Sequence, residues 1–153
     1  SLGGANGILS ACDFAFCSDE ATFSLSEVKI GIIPACISPY VIKRIGEFGA
    51  KDLMISGRRI KGKEAESYRL VNKSLAPGEL EEYVNSTIAL LKTSGPAAMT
   101  HCKDLIFKVA NELSLEEAYD YSAKVIADIR SSDEGQEGMK AFLEKRKPNW
   151  VKD

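Results

Sequence analysis

The sequence predicts a mixed α/β first part, residues 1–78, followed by a helical second part, residues 79–153. Three observations carry this. Phe14 to Cys17, Thr22 to Ser24 and Val28 to Ile33 are short apolar or alternating runs broken by turns, as in strands. From Leu80 on the apolar spacing becomes helical: Leu80, Tyr83, Val84, Thr87, Ile88 and Leu91 mark one face of an amphipathic helix. The later helices also carry start signals, a proline at Pro96 and a capping-box pair at Ser114 and Glu117.

Taken in order, Gly4 to about Cys12 reads as a short helix with Ile8, Leu9 and Cys12 inward. Phe14 to Cys17 reads as a buried strand, Ser18-Asp19-Glu20 as a turn and Thr22 to Ser24 as a second strand. Val28 to Ile33 is apolar except for Lys29 and Gly31, and Pro34 closes it. Ser38-Pro39 supplies an N-cap and a proline at the first helical position. That helix runs through Val41, Ile42 and Ile45 to a stop at Gly46. A second helix spans Phe48 to Ser56, with Gly57 after it, and a third begins near Lys63. Asn72 to Leu75 reads as a short strand.

In the helical part, Met99, Cys102, Ile106 and Val109 lie along one side of the helix after Pro96. Leu115, Ala118, Ser122, Val125 and Ile129 stripe the next, and Ser131 with Glu134 starts the last. It ends in Lys145-Arg146-Lys147, where cations suit the negative end of the helix dipole. These stripes fit packing on the chain's own core or on a neighbouring subunit.

A chain of 153 residues with 44% hydrophobic and 27% charged residues has the composition of a globular domain with a real core. The net charge of −2 favours neither a nucleic acid nor a membrane surface as partner. No apolar run approaches a membrane span, and the first residues show no secretory leader. Cys12, Cys17, Cys36 and Cys102 show no C-x-x-C spacing and no histidine in ligand register. They are read as reduced, mostly buried thiols of a cytoplasmic protein without a metal site.

Two features could carry chemistry. The turn Gly3-Gly4-Ala5-Asn6-Gly7 opens a helix, and backbone N–H groups there stabilise negative charge on a carbonyl or phosphate oxygen. Alone, the turn reads more readily as a tight turn or close packing contact than as a site, and it lacks the G-x-G-x-x-G dinucleotide pattern. Glu27 stands before an apolar segment, where partial desolvation would suit proton transfer; alone, it also fits a solvated strand end. His101, the one histidine, has no visible triad partner. Lys145-Arg146-Lys147 fits an anionic ligand or a solvated helix end.

Together these blocks resemble the enoyl-CoA hydratase/isomerase (crotonase) superfamily along the whole chain. They are Gly3-Gly4 with Ala11-Cys12-Asp13, then Ala21 to Val28 continuing to Gly31-Ile32-Ile33-Pro34. Ser56-Gly57-Arg58-Arg59-Ile60, Glu64-Ala65-Glu66, Leu70-Val71-Asn72 and Glu137 to Pro148 follow in order. The resemblance implies the C-terminal portion of a spiral α/β core, then a helical region that builds homo-trimers or hexamers. It implies an acyl-CoA substrate whose thioester oxygen is held by two backbone N–H groups, one of them Gly4. Glu27 falls on the family's second catalytic glutamate. Phe142 and Lys145 fall where members reach the CoA of a neighbouring subunit. No separate cofactor is implied, because coenzyme A enters as part of the substrate.

Three departures qualify the resemblance. Hydratases with two catalytic glutamates carry the first where this chain has Gly7. Ala35-Cys36-Ile37-Ser38-Pro39-Tyr40 replaces the usual glycine-rich helix start, a variant similar to methylglutaconyl-CoA hydratase-like members. The N-terminal part of the family domain, with the other oxyanion donor, lies outside these residues. The expected activity is hydration of a 2-enoyl-CoA in fatty-acid or branched amino-acid metabolism. Double-bond isomerisation on the same fold, or an inactive assembly module, stands as the alternative.

Overall fold

A computed structural model describes residues 1–152. The chain divides into two compact units, Ser1–Val84 and Asn85–Asp153.

The first unit begins with α1 (Gly4–Ala11), β1 (Phe16–Ser18), β2 (Thr22–Ser24) and two 3-10 turns, Glu27–Ile30 and Ala35–Ile37. Then come α2 (Ser38–Ser56), β3 (Arg59–Lys61), α3 (Gly62–Ser67), β4 (Lys73–Leu75) and the start of α4 (Leu80–Leu91). β1 lies parallel to β4 with Cys17 opposite Ser74, and β2 antiparallel to β3 with Phe23 opposite Ile60. Phe23 and Ile60 point into a core shared with Leu25, Val41, Leu53 and Leu70. Alternation in Thr22-Phe23-Ser24 explains the inward Phe23. Ser24 is buried as well because its hydroxyl donates to the Gly57 carbonyl at 3.2 Å.

The expected stop at Gly46 is a break inside α2, where Gly46 has φ 71° and ψ 170°. Gly57 closes the helix in the left-handed region, its N–H donating to the Leu53 carbonyl. β3 was not foreseen: Arg-Ile-Lys has one apolar residue, and only pairing with β2 makes it a strand. Ser38 is not a cap. Its hydroxyl donates back to the Ala35 carbonyl at 2.9 Å, so α2 grows directly out of the 3-10 turn. The apolar run Val28 to Ile33 is not buried, because Gly31 at φ 78° turns the chain and leaves Ile30, Ile32 and Ile33 exposed.

Two burial expectations are corrected. α1 buries Asn6 and Gly7, and of the three residues expected inward only Leu9 packs against the core, whereas Ile8 is 74% exposed and Cys12 is exposed. The helix is seated by the Asn6 amide hydrogen bond and by Gly7 against Ile37 as well as by Leu9, so the apolar pattern alone misleads. Of the four cysteines only Cys17 is buried, and burial pushes its thiol pKa up.

The second unit holds α5 (Pro96–Asn111), α6 (Leu115–Ser131) and α7 (Asp133–Leu143). α6 opens with the foreseen capping box between Ser114 and Glu117. The cap of α7 is Ser132, one residue beyond Ser131, and its hydroxyl accepts from the Gly135 N–H at 3.1 Å. Glu134 instead accepts from the Ala97 and Ala98 amides at 3.0 and 2.8 Å, capping α5. α7 ends at Leu143, before the basic cluster. Among the described residues no helix is long and apolar enough to cross a membrane.

Candidate active site

The start of α1 is built on the edge of β2. Leu2 bridges to Ser24, and the Ser24 carbonyl accepts from both the Gly3 N–H at 3.2 Å and the Asn6 side-chain amide at 2.8 Å. Gly3 has φ 51°, a left-handed turn that favours glycine and swings the chain into the helix. The Ala5 and Asn6 amides donate to Leu2 and Gly3 carbonyls. The Gly4 N–H has no acceptor among the described residues. Gly4 is exposed, and a β-carbon there would meet nothing within 4 Å. An open N–H at the positive end of a helix is a donor for an anionic oxygen.

Glu27 opens the first 3-10 turn and is half-buried. Its Oε1 lies 3.5 Å from where a β-carbon on Gly3 would sit, so the carboxylate stands beside the start of α1. Its Oε2 is enclosed and has no hydrogen-bond partner. A buried carboxylate oxygen without a partner is rare unless chemistry or a missing donor explains it. The fold therefore brings Gly4 and Glu27 to one end of one helix.

Ile37, from the second 3-10 turn, packs against Gly7. A β-carbon at Gly7 would lie 2.4 Å from Ile37 Cγ2, so position 7 can carry no side chain in this packing. A solvent-open concavity of about 480 Å³ runs along the same helix, and Glu27 is not part of its lining. Gly4, Gly7, Ile8 and Ala11 of α1 line it together with Ile37 and Tyr40.

The other end of α1 is held by Arg44, which sequence reasoning missed. Its guanidinium donates to the Cys12 carbonyl at 2.7 Å, the Leu70 carbonyl at 2.6 Å and Asn72 Oδ1 at 2.9 Å. Asn72 Oδ1 also accepts from the Ala15 N–H at 2.7 Å. Burial pushes the Arg44 pKa down. The only local signal was the pair Lys43-Arg44 between Ile42 and Ile45, and nothing in the sequence says which of the two cations turns inward. Elsewhere in the unit Arg58 binds Asp52, Glu64 and Tyr68, tying β3 and α3 to α2 and holding the Asp52 carboxyl below its usual range.

Phe142 and Lys145 lie in the second unit, at the end of α7. Phe142 is 82% exposed, and Lys145, also exposed, has φ 54° just past the helix. His101 is exposed on α5. Among the described residues no group of three or more His, Cys, Asp or Glu side chains is placed to hold a metal.

The family model described as enoyl-CoA hydratase/isomerase matches residues 1–153. A crystal structure of a Legionella pneumophila protein assigned as an enoyl-CoA hydratase/isomerase (crotonase) is 44% identical, with a TM-score of 0.90 over 97% of this chain and 57% of that one. A Thermus thermophilus protein assigned as an enoyl-CoA hydratase is 31% identical over 98% of this chain and 59% of its own length. The carnitinyl-CoA dehydratase of Salmonella arizonae is 32% identical over the same shares. The chain thus spans 59% of the length of these two relatives.

Proposed function

The chain belongs to the enoyl-CoA hydratase/isomerase family and has its crotonase-like α/β fold, and from that premise we propose that the protein carrying it adds water to a 2-enoyl-CoA. The observation that carries this reading is Glu27, whose unpartnered, enclosed Oε2 stands beside the helix start that offers the open Gly4 N–H. Glu27 takes a proton from water as the hydroxyl bonds to the β-carbon of the enoyl group. The charge that develops on the thioester oxygen is held by the Gly4 N–H, and the protonated Glu27 then returns its proton to the α-carbon, which restores the carboxylate and completes the addition of one water. Such general-base catalysis contributes roughly 10²- to 10⁴-fold. N–H donors polarise the thioester, so the reading calls for no cofactor besides the acyl-CoA itself.

In the same reading residues 79–153 form the assembly region of a homo-trimer or hexamer. Phe142 and Lys145 there reach the CoA of a neighbouring copy, the lysine near phosphate. The acyl-CoA is then a soluble substrate in a cytoplasmic compartment.

One observation favours a second reaction on the same site. With Gly7 bare and Ile37 packed over it, no first glutamate helps to activate water. A single carboxylate suffices to move a proton between carbons, which is double-bond isomerisation of a 3-enoyl-CoA.

The test is hydration of a short 2-enoyl-CoA by the intact protein, followed by loss of the conjugated thioester absorbance, with Glu27→Gln beside it. The expected result is turnover by the wild type and a loss of about 100-fold or more in the variant. Conversion of a 3-enoyl-CoA without net hydration transfers the reading to isomerisation. An undiminished Glu27→Gln rate removes Glu27 from the chemistry.

A further inference from the structure

We propose that Ile37 is a specificity-determining residue, limiting the acyl group that the site beside the Gly4 amide accepts. This rests on the acyl-CoA reading above. The concavity starts at Gly4 and follows one face of α1 through Gly7 to Ala11, about 10 Å at the helical rise of ~1.5 Å per residue. Its volume of about 480 Å³ lies within the range of small-molecule sites, roughly 300–1,000 Å³.

Ile37 enters this space from the second 3-10 turn. Measured along the helix, it meets α1 at Gly7, about 4.5 Å from Gly4. An acyl chain whose thioester oxygen sits on the Gly4 N–H and whose tail follows α1 therefore passes Ile37 just beyond its reacting carbons. The wall is rigid. Ile37 is β-branched and stiff about χ1, it packs against the core, and the Ser38 hydroxyl ties the same turn to the Ala35 carbonyl at 2.9 Å. A branched aliphatic wall discriminates by excluded volume, a mechanism that yields roughly 10- to 200-fold per methylene.

The test compares wild type, Ile37→Val and Ile37→Ala in the intact protein on a four-carbon and an eight-carbon straight-chain 2-enoyl-CoA. Ile37→Ala is expected to raise the kcat/KM preference for the longer substrate about ten-fold or more, mainly through its KM. Ile37→Val is expected to move the ratio in the same direction by less, and it decides the matter should the alanine variant not fold. A ratio unchanged within two-fold in the folded variants overturns the role of Ile37 and leaves the acyl-CoA reading intact. A wild type that neither turns over these substrates nor binds a saturated acyl-CoA of either length overturns both.

Discussion

Ile37 Cγ2 lies 2.4 Å and its Cβ 2.8 Å from the point where a β-carbon on Gly7 would stand. Two effects compete in Gly7→Ala. Helix propensity favours alanine by about 1 kcal/mol. Overpacking costs about 1–3 kcal/mol, and the clash reaches Ile37 Cβ rather than only a flexible tip. Because the clash reaches the branch point of Ile37, Gly7→Ala is expected to be destabilised by up to about 2 kcal/mol in urea unfolding. Adding Ile37→Ala should recover part of that loss, because the two residues share one space. A single variant as stable as wild type would mean that Ile37 swings away at little cost. Gly7→Glu without a change at Ile37 should not speed hydration.

Gly4→Ala is the contrasting case. Nothing lies within 4 Å of a β-carbon there, and the backbone is helical. Stability should stay level or rise by up to about 1 kcal/mol. The new methyl stands at the edge of the concavity, so the KM for an enoyl-CoA should rise while the fold is untouched. Unfolding curves and initial rates on one preparation separate the two effects. An unchanged KM would place the acyl group elsewhere.

These two glycines also show what was legible in the sequence. The helix start at Gly4, the strand Thr22–Ser24, the break at Gly46 and the capping box at Ser114 all follow from local chemistry: turn residues, alternation and caps. The placement of Glu27 beside the start of α1 follows from the resemblance and not from spacing. Ile37 over Gly7 and Arg44 on the Cys12 carbonyl join residues 30 and 32 positions apart, and no local pattern encodes such contacts. β3 stayed hidden for the same reason, since Arg59-Ile60-Lys61 becomes a strand only against β2.

Arg44 should prove structural before it proves catalytic. Arg44→Met keeps the aliphatic stem but takes the guanidinium donor from the Cys12 and Leu70 carbonyls, and leaves Asn72 Oδ1 with the Ala15 N–H alone. Each lost partner of a half-buried group costs about 1–3 kcal/mol, partly relieved by water, so a total near 2–3 kcal/mol is expected. Arg44→Lys should rescue little, because an ammonium cannot present the planar fork. Chemical denaturation of the three proteins measures this, and full stability in the lysine variant would refute the fork argument.

Lys145 sits at φ 54° immediately after α7. Its N–H donates to the Phe142 carbonyl at 3.2 Å and the Arg146 N–H to the Ala141 carbonyl at 3.0 Å, a helix end that usually employs glycine. A non-glycine residue in this region carries about 1–2 kcal/mol of strain, against up to about 1 kcal/mol of extra unfolded-chain entropy for glycine. Lys145→Gly is therefore expected to be as stable as wild type or up to about 1 kcal/mol more so. If Lys145 meets CoA phosphate, the same variant binds acyl-CoA more weakly, and the loss shrinks as salt rises. Equal affinity at low salt would exclude that role.

Glu137 offers a pH test confined to the second unit. Its carboxylate receives Arg146 at 2.6 and 2.8 Å and the Asn149 N–H at 3.0 Å. These contacts, Arg146 first, hold its pKa down to about 2 against an ordinary 4.5. A carboxyl whose folded pKa is depressed stabilises the fold above its unfolded pKa, and that contribution fades as pH falls through the folded value. Wild type should therefore melt above Glu137→Gln by a constant margin from neutral pH down to about pH 5, and the margin should close between about 4.5 and 2. Glu117 and Glu66 are also held below their usual range, so both proteins lose stability in acid, and only the difference between them reports on Glu137. A margin that persists undiminished at pH 2 would assign the stabilisation to packing and neutral hydrogen bonds around Glu137 instead of to its charge.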